Sequence, residues 1–146
     1  HFPRALGSIA PALIVDGMKA ALETTRAKIV YVCNLVTKPG QTDNFKVHDF
    51  AEEIERFIGA NVLDAVLYNT EHPDKSLLEK YSRDKEYGVE YDKELLATKH
   101  FTAKGASLIS KSLPKKVAGD KIAANRAFIR HDSDVIARQL MKIYFS

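Results

Sequence analysis

Residues 28–45 read KIVYVCNLVTKPGQTDNF, and this stretch decides the fold. Its first half is apolar and largely β-branched, with Ile29, Val30, Val32, Leu35 and Val36. Its second half is polar, with Pro39-Gly40 in the middle and Thr42, Asp43 and Asn44 at the end. A short apolar run bounded by turn residues predicts a buried strand, here near residues 29–35, followed by a loop. Beyond the loop, Val47, Phe50, Ala51, Ile54, Phe57 and Ile58 recur at helical spacing, and Gly59 supplies a stop. Leu63, Val66 and Leu67 predict a second strand ending at Asn69-Thr70. Strand, helix and strand in this order and size form a βαβ unit, whose strands are expected to be parallel neighbours with a right-handed crossover. The expected fold is therefore α/β, a Rossmann-like three-layer αβα arrangement with a mainly parallel sheet in a single domain over residues 1–146.

Parallel strands end on one edge. The loop at 37–44 and the end of the second strand (Asn69, Thr70, Glu71, His72) are thus expected to lie close together, each leading towards a helix N-terminus. Ligands of open α/β sheets bind at such strand ends, and free N–H groups at helix N-termini favour anions.

Working outward, Ser8 is expected to cap a helix over about 8–25, with Gly17, Ala20 and Ala21 allowing close packing on the sheet. Pro73 suits the first turn of a third helix with Leu77, Leu78 and Tyr81 on its apolar side and Gly88 at its end. Val89 and Tyr91 are read as a short strand. Residues 93–125 are the least legible, with possible short strands at 100–102 and 107–109, and lysines and Pro114 that read as a solvent-facing excursion. Phe128 and Ile129 are read as a strand. Arg130-His131-Asp132 then leads into a last helix bearing Ile136, Leu140, Ile143 and Tyr144, with Asp132 as its N-cap.

Composition narrows the function classes. The chain is 45% apolar and 28% charged with a net charge of +3, which suits one soluble domain able to bury a core. Its basic residues are spread out, without the run or basic-aromatic interleaving of a nucleic-acid module. No stretch is long and apolar enough to span a membrane, and no signal-peptide pattern is seen, so a cytoplasmic location is expected. The single cysteine, Cys33, excludes an internal disulfide or thiolate zinc cluster and is read as a small buried hydrophobe. The five histidines show no metal-site spacing.

Among candidate site residues, Arg130 stands out, because a guanidinium fork matches phosphate oxygens bidentately and this one lies between a strand and a helix N-cap. His131 could act as a general acid or base but has no assignable partner. Thr37, Thr42, Asp43 and Asn44 offer hydroxyl, carboxylate and amide groups on a Pro-Gly turn. Thr42 could donate to a phosphate, and Asp43 could hold Mg²⁺ through water or bind a ribose hydroxyl. Asn34, Asn69 and Thr70 suit either ligand contact or satisfaction of a buried amide or hydroxyl. His48-Asp49 is read as a solvated helix face.

The segment YVCNLVTKPGQTDNFKVHDF resembles the core of the CofD-like family, whose bacterial form is approximately Y-V-C-N-hydrophobic-M-T-Q-P-G-E-T-D-G-Y. Tyr31, Val32, Cys33, Asn34, Thr37, Pro39, Gly40, Thr42 and Asp43 stand in register. Ser8-Ile9-Ala10-Pro11, Leu13-Ile14-Val15, the strand from Leu63-Asp64 to Asn69, Pro73 to Tyr81, and Arg130-His131-Asp132 resemble further segments in order. The family includes gluconeogenesis factors and 2-phospho-L-lactate transferases, and the first motif favours the former. No glycine-rich G-G-G-T-G loop is present, so the chain is expected to be the C-terminal portion of a family domain or a truncated relative.

The resemblance implies a binding module for a nucleotide or nucleotide-sugar such as a UDP-sugar, with a regulatory role in carbon metabolism, cell-wall precursor supply and cell shape. Arg130 and helix N-termini would take the diphosphate, the loop at 37–44 the ribose or sugar, and Tyr81 a base or sugar face in place of simple core packing. A small anionic ligand and a homo-oligomer are the expected partners, without nucleic acid or membrane. The alternative is part of a transferase using nucleotide-activated phospholactate and Mg²⁺. A third reading is a non-catalytic oligomerisation module.

Overall fold

A computed structural model describes residues 18–111 and 129–146. Its elements in chain order are α1 (Met18–Thr24), β1 (Val30–Val32), α2 (Val47–Ile58), β2 (Ala65–Asn69), α3 (Lys75–Arg83), α4 (Lys93–Leu96), β3 (Thr102–Ala106) and α5 (Ser133–Tyr144). The sheet has the order β1-β2-β3 and both pairings are parallel. Val30 lies opposite Ala65, and Ala65 opposite Thr102, so all three strands end on the same edge. This is the Rossmann-like α/β fold: a parallel sheet with flanking helices.

The core explains the order. A central parallel strand is covered on both faces and reads as a continuous apolar run. β2 does so, and Ala65, Val66, Leu67 and Tyr68 are all buried. Val47, Phe50, Ala51 and Ile54 of α2 share one cluster with Tyr31, Cys33, Val66 and Tyr68 of the sheet. These α2 positions are the predicted stripe, and Gly59 ends the helix in the left-handed region (φ 85°), where glycine carries no Cβ penalty. On the other side, Lys28 Nζ donates to the Ile143 carbonyl at 2.8 Å, tying the entry of β1 to the last turn of α5.

Several expectations change. The predicted helix over 8–25 is described only as α1. Ser8, Pro11, Leu13 and Gly17 lie outside the described residues, and Ala20 and Ala21 are exposed rather than packed on the sheet. β1 is shorter than predicted, although Cys33 N–H still donates to Leu67 O at 2.9 Å. α3 begins after Pro73 and ends at Arg83. Gly88 instead pairs with Val36 in an isolated antiparallel bridge. Val89 and Tyr91 belong to no strand, and Glu90 bridges Lys46.

The largest change is β3, the third parallel strand. It meets the possible strand at 100–102 only at Thr102 and runs on through the stretch read as a solvent-facing excursion, while 107–109 gives only an isolated bridge from Ile109 to His131. The β3 sequence, TAKGA, lacks the apolar run that signals a strand. Ile129 is buried but outside any strand, and Phe128 lies outside the described residues. His48 is not a solvated face either. Its side chain is 14% exposed, with Nε2 3.4 Å from Asp49 Oδ1 and Nδ1 buried without a hydrogen-bond partner.

Candidate functional site

Two clefts flank the C-terminal ends of β2 and β3. The first, about 750 Å³, lies between the end of β2, α3 and residues 87–91. Asn69, Thr70, Glu71 and His72 form one wall, and Tyr87, Val89 and Tyr91 another. The second, about 890 Å³, lies between the chain after β3 and the start of α5, and includes Ser107, Ser110, Lys111, Arg130 and His131. The two differ in character. Tyr87 and Tyr91 give the first an aromatic wall beside the carboxylates Glu71, Glu79 and Glu90, with Lys75 as a cation. Lys111 and Arg130 give the second its cationic groups, with Asp132 and Asp134 at its helical end.

A backbone and side-chain network holds the edge together. Asn69 satisfies its amide locally, as a buried amide must. Its Nδ2 donates to Glu71 O at 2.7 Å, and its Oδ1 accepts from Glu71 N at 3.1 Å and Leu108 N at 3.0 Å. Leu108 O accepts from Asp132 N at 2.7 Å, and Ser110 N donates to Arg130 O at 2.8 Å. Arg130-His131-Asp132 is therefore strapped to the chain leaving β3. His131 Nε2 faces the Cys33 carbonyl at 3.0 Å. A carbonyl only accepts, so Nε2 carries the proton, and His131 joins the third element to the end of β1. Asp132 caps α5, its Oδ1 accepting from Asp134 N and Val135 N at 3.0 and 3.2 Å. That carboxylate occupies the first N–H groups of α5, the N-cap role that its residue type predicts.

The predicted convergence of three elements is thus partial. Asn69 and Thr70 line the first cleft, Arg130 and His131 the second, and the network joins them. Of the first strand's exit, Leu35 reaches the first cleft, but residues 37–44 line neither of these two clefts. Their polar groups serve the loop. Thr37 Oγ1 accepts from Tyr87 N at 3.1 Å and Thr37 N donates to Tyr87 O at 2.7 Å. Thr42 is 2% exposed and its Oγ1 accepts from Lys38 N at 2.7 Å. Asp43 Oδ2 accepts from Gly40 N at 2.8 Å. Asn44 has φ 62°, a left-handed conformation that Asn tolerates better than most residues.

Asn34 and Tyr81 also have structural partners. Asn34 Oδ1 accepts from the Tyr31 hydroxyl at 3.2 Å, and the Tyr81 hydroxyl accepts from Ile129 N at 2.9 Å. Neither lines either cleft. Among the described residues, no group of three His, Cys, Asp or Glu side chains gathers to hold a metal ion. The sequence reading did not single out Ser107 or Tyr87 and passed over Glu71. Glu71 directly follows the predicted strand end, which was the available signal; Ser107 belongs to a stretch without periodicity.

The family model for "2-phospho-L-lactate transferase CofD" matches residues 5–114. A protein of Thermotoga maritima named "Putative gluconeogenesis factor" is 41% identical over 87 residues, 60% of this chain and 27% of that protein. Proteins of the same name from Aquifex aeolicus and Clostridium acetobutylicum are 31% and 33% identical, over 93% and 92% of this chain and 38% and 27% of theirs. The chain thus spans about a third of the length of these relatives. A crystal structure of a UPF0052-family protein from Bacillus halodurans superposes with a TM-score of 0.79 at 21% identity, over 94% of this chain and 40% of that one.

Proposed function

The chain belongs to the CofD family and is of the gluconeogenesis-factor type, and on that premise we propose that it binds a nucleotide or nucleotide-sugar, such as a UDP-sugar, at the strand-end edge. The observation that carries this reading is the pairing of a cleft that holds Lys111 and Arg130 with an aromatic one across the ends of β2 and β3. Lys111 and Arg130 suit a phosphate, and Arg130 offers it a bidentate fork. Tyr87 and Tyr91 suit a flat or sugar-like neutral half. In this reading the diphosphate lies in the second cleft, the neutral part extends into the first, and the loop at 37–44 shapes the edge without contacting ligand. The role is regulatory, linked to carbon metabolism and cell-wall precursor supply.

A second reading, part of a 2-phospho-L-lactate transferase-like enzyme, draws on the description of the family model. Such a reaction is expected to use Mg²⁺, and among the described residues no group of three His, Cys, Asp or Glu side chains gathers to hold it. Asp43 Oδ2 accepts from Gly40 N and Asp132 Oδ1 from the first turn of α5, so each carboxylate has a structural task as well as a second oxygen outside these bonds.

A thermal-shift panel of UDP-sugars, GDP, NAD and phosphate, with and without Mg²⁺, tests both. A ligand at about a hundred times its Kd stabilises by about 2.7 kcal/mol, an easily read shift. The expected result is stabilisation by a UDP-sugar without Mg²⁺, lost in Arg130→Ala. A shift only with GDP and Mg²⁺ favours the transferase reading, and no shift with any ligand overturns both.

A further inference from the structure

Glu71 stands where the two clefts meet. It lines the aromatic cleft, yet its carboxylate reaches two residues of the second one. Oε2 accepts the Ser107 hydroxyl, and Oε1 faces Lys111 Nζ at 3.3 Å. An ionised carboxylate has about four lone-pair sites, so these contacts leave acceptor capacity on both oxygens. Lys111 is 81% exposed, so its pairing is weak and readily yielded to a ligand. The Ser107 hydrogen bond, and after it Lys111, hold the Glu71 carboxyl below the usual carboxylate range. It is an acceptor at neutral pH.

The polarity of the edge fixes what that acceptor can meet. Glu71, Glu79 and Glu90 outnumber Lys75 around the aromatic cleft and disfavour a phosphate there, while on the other side Lys111 and Arg130 offset Asp132 and Asp134 and leave a phosphate better accommodated. A ligand crossing the partition therefore presents Glu71 with its neutral, hydroxyl-bearing half. Aromatic and carboxylate groups side by side suit such a group, the ring facing C–H and the carboxylate accepting from O–H. Resting on the nucleotide-sugar reading above, we propose that Glu71 is the specificity-determining residue of this site, accepting hydrogen bonds from adjacent hydroxyls of a sugar whose phosphate lies on the Lys111–Arg130 side.

The hydroxyls can belong to a nucleotide's ribose or to a hexose beyond the diphosphate. Calorimetric titration with UDP, 2′-deoxy-UDP and UDP-glucose separates the two. A hydrogen bond to an ionised acceptor is worth about ten-fold or more in affinity. In the wild-type chain, either 2′-deoxy-UDP binds at least about ten-fold more weakly than UDP, assigning the ribose, or UDP-glucose binds at least about ten-fold more tightly, assigning the hexose. In Glu71→Ala that difference is expected to fall below about three-fold, and in Glu71→Gln, which keeps one acceptor oxygen, to an intermediate value. Glu71→Gln and the wild-type comparison decide the matter if Glu71→Ala does not fold. Discrimination unchanged in the variants overturns the proposal. UDP binding without discrimination overturns it while leaving the nucleotide reading intact. Binding of none of the three ligands overturns both.

Discussion

Cys33 is 1% exposed, and burial pushes its thiol up to about 12. The folded chain keeps the proton at a pH where a free thiol has lost it. Stability from this source is complete below the ordinary thiol value of about 8.5 and is lost as pH rises towards the folded value. At about pH 8.5, iodoacetamide is expected to leave Cys33 unmodified in the native chain and to alkylate it in urea. Rapid native labelling would contradict its placement against β2.

Gly105 is a second residue with a sharp requirement. A Cβ there would lie 2.7 Å from Thr70 Cγ2 and 3.0 Å from the Tyr68 ring. Tyr68 belongs to β2 and is buried, so it cannot yield easily, and the half-buried Thr70 would have to turn its side chain. Gly105→Ala is expected to destabilise by about 1–3 kcal/mol, read from urea unfolding. A neutral result would show that β3 approaches β2 less closely than described.

At the scale of elements, α2 is joined to the entries of β2 and β3 through one buried carboxylate. Glu55 is 7% exposed. Its Oε2 accepts from Leu63 N at 3.1 Å, and His100 Nε2 lies 2.7 and 2.9 Å from its two oxygens. Glu55→Leu strands the buried Leu63 N–H, while the partly exposed His100 ring can turn to water, and the change is expected to cost about 2 kcal/mol in chemical unfolding. A loss below about 0.5 kcal/mol, the size of an ordinary surface change, would contradict this tie.

The same scale shows what the sequence made legible. β1, α2 and β2 declared themselves, because buried parallel strands read as apolar runs and α2 carries a full apolar stripe. β3 did not. It is an edge strand with Thr102, Lys104 and Gly105 exposed, so no core demand is written into its pattern. The cap at Asp132 was legible from residue type, since a carboxylate before a helix has one common task. Thr42 and Asp43 were ambiguous, because a hydroxyl or carboxylate that closes a turn is written with the same letters as one that binds a ligand. Only the positions of Lys38 N and Gly40 N resolve their use.

At the scale of the molecule, the parallel sheet sends three strand ends to one edge and leaves the opposite edge to structural ties such as Glu55–His100. No helix among the described residues is long and apolar enough to cross a membrane. Asn69 and the loop after β3 link the two clefts, so a ligand spanning them would be felt at Asn69, Ser107 and Arg130 together. The Glu55–His100 end would remain undisturbed.

That contrast gives the most direct measurement: an amide NMR titration of the chain with UDP-glucose. The predicted result is a set of saturable shifts confined to the neighbourhoods of Asn69–Glu71, Tyr87–Tyr91, Ser107–Lys111 and Arg130–Ser133, with Gly59, Asn61 and His100 unmoved. Shifts centred on Gly59, Asn61 and His100, or no saturable shift at any residue, would contradict a ligand site at the strand ends.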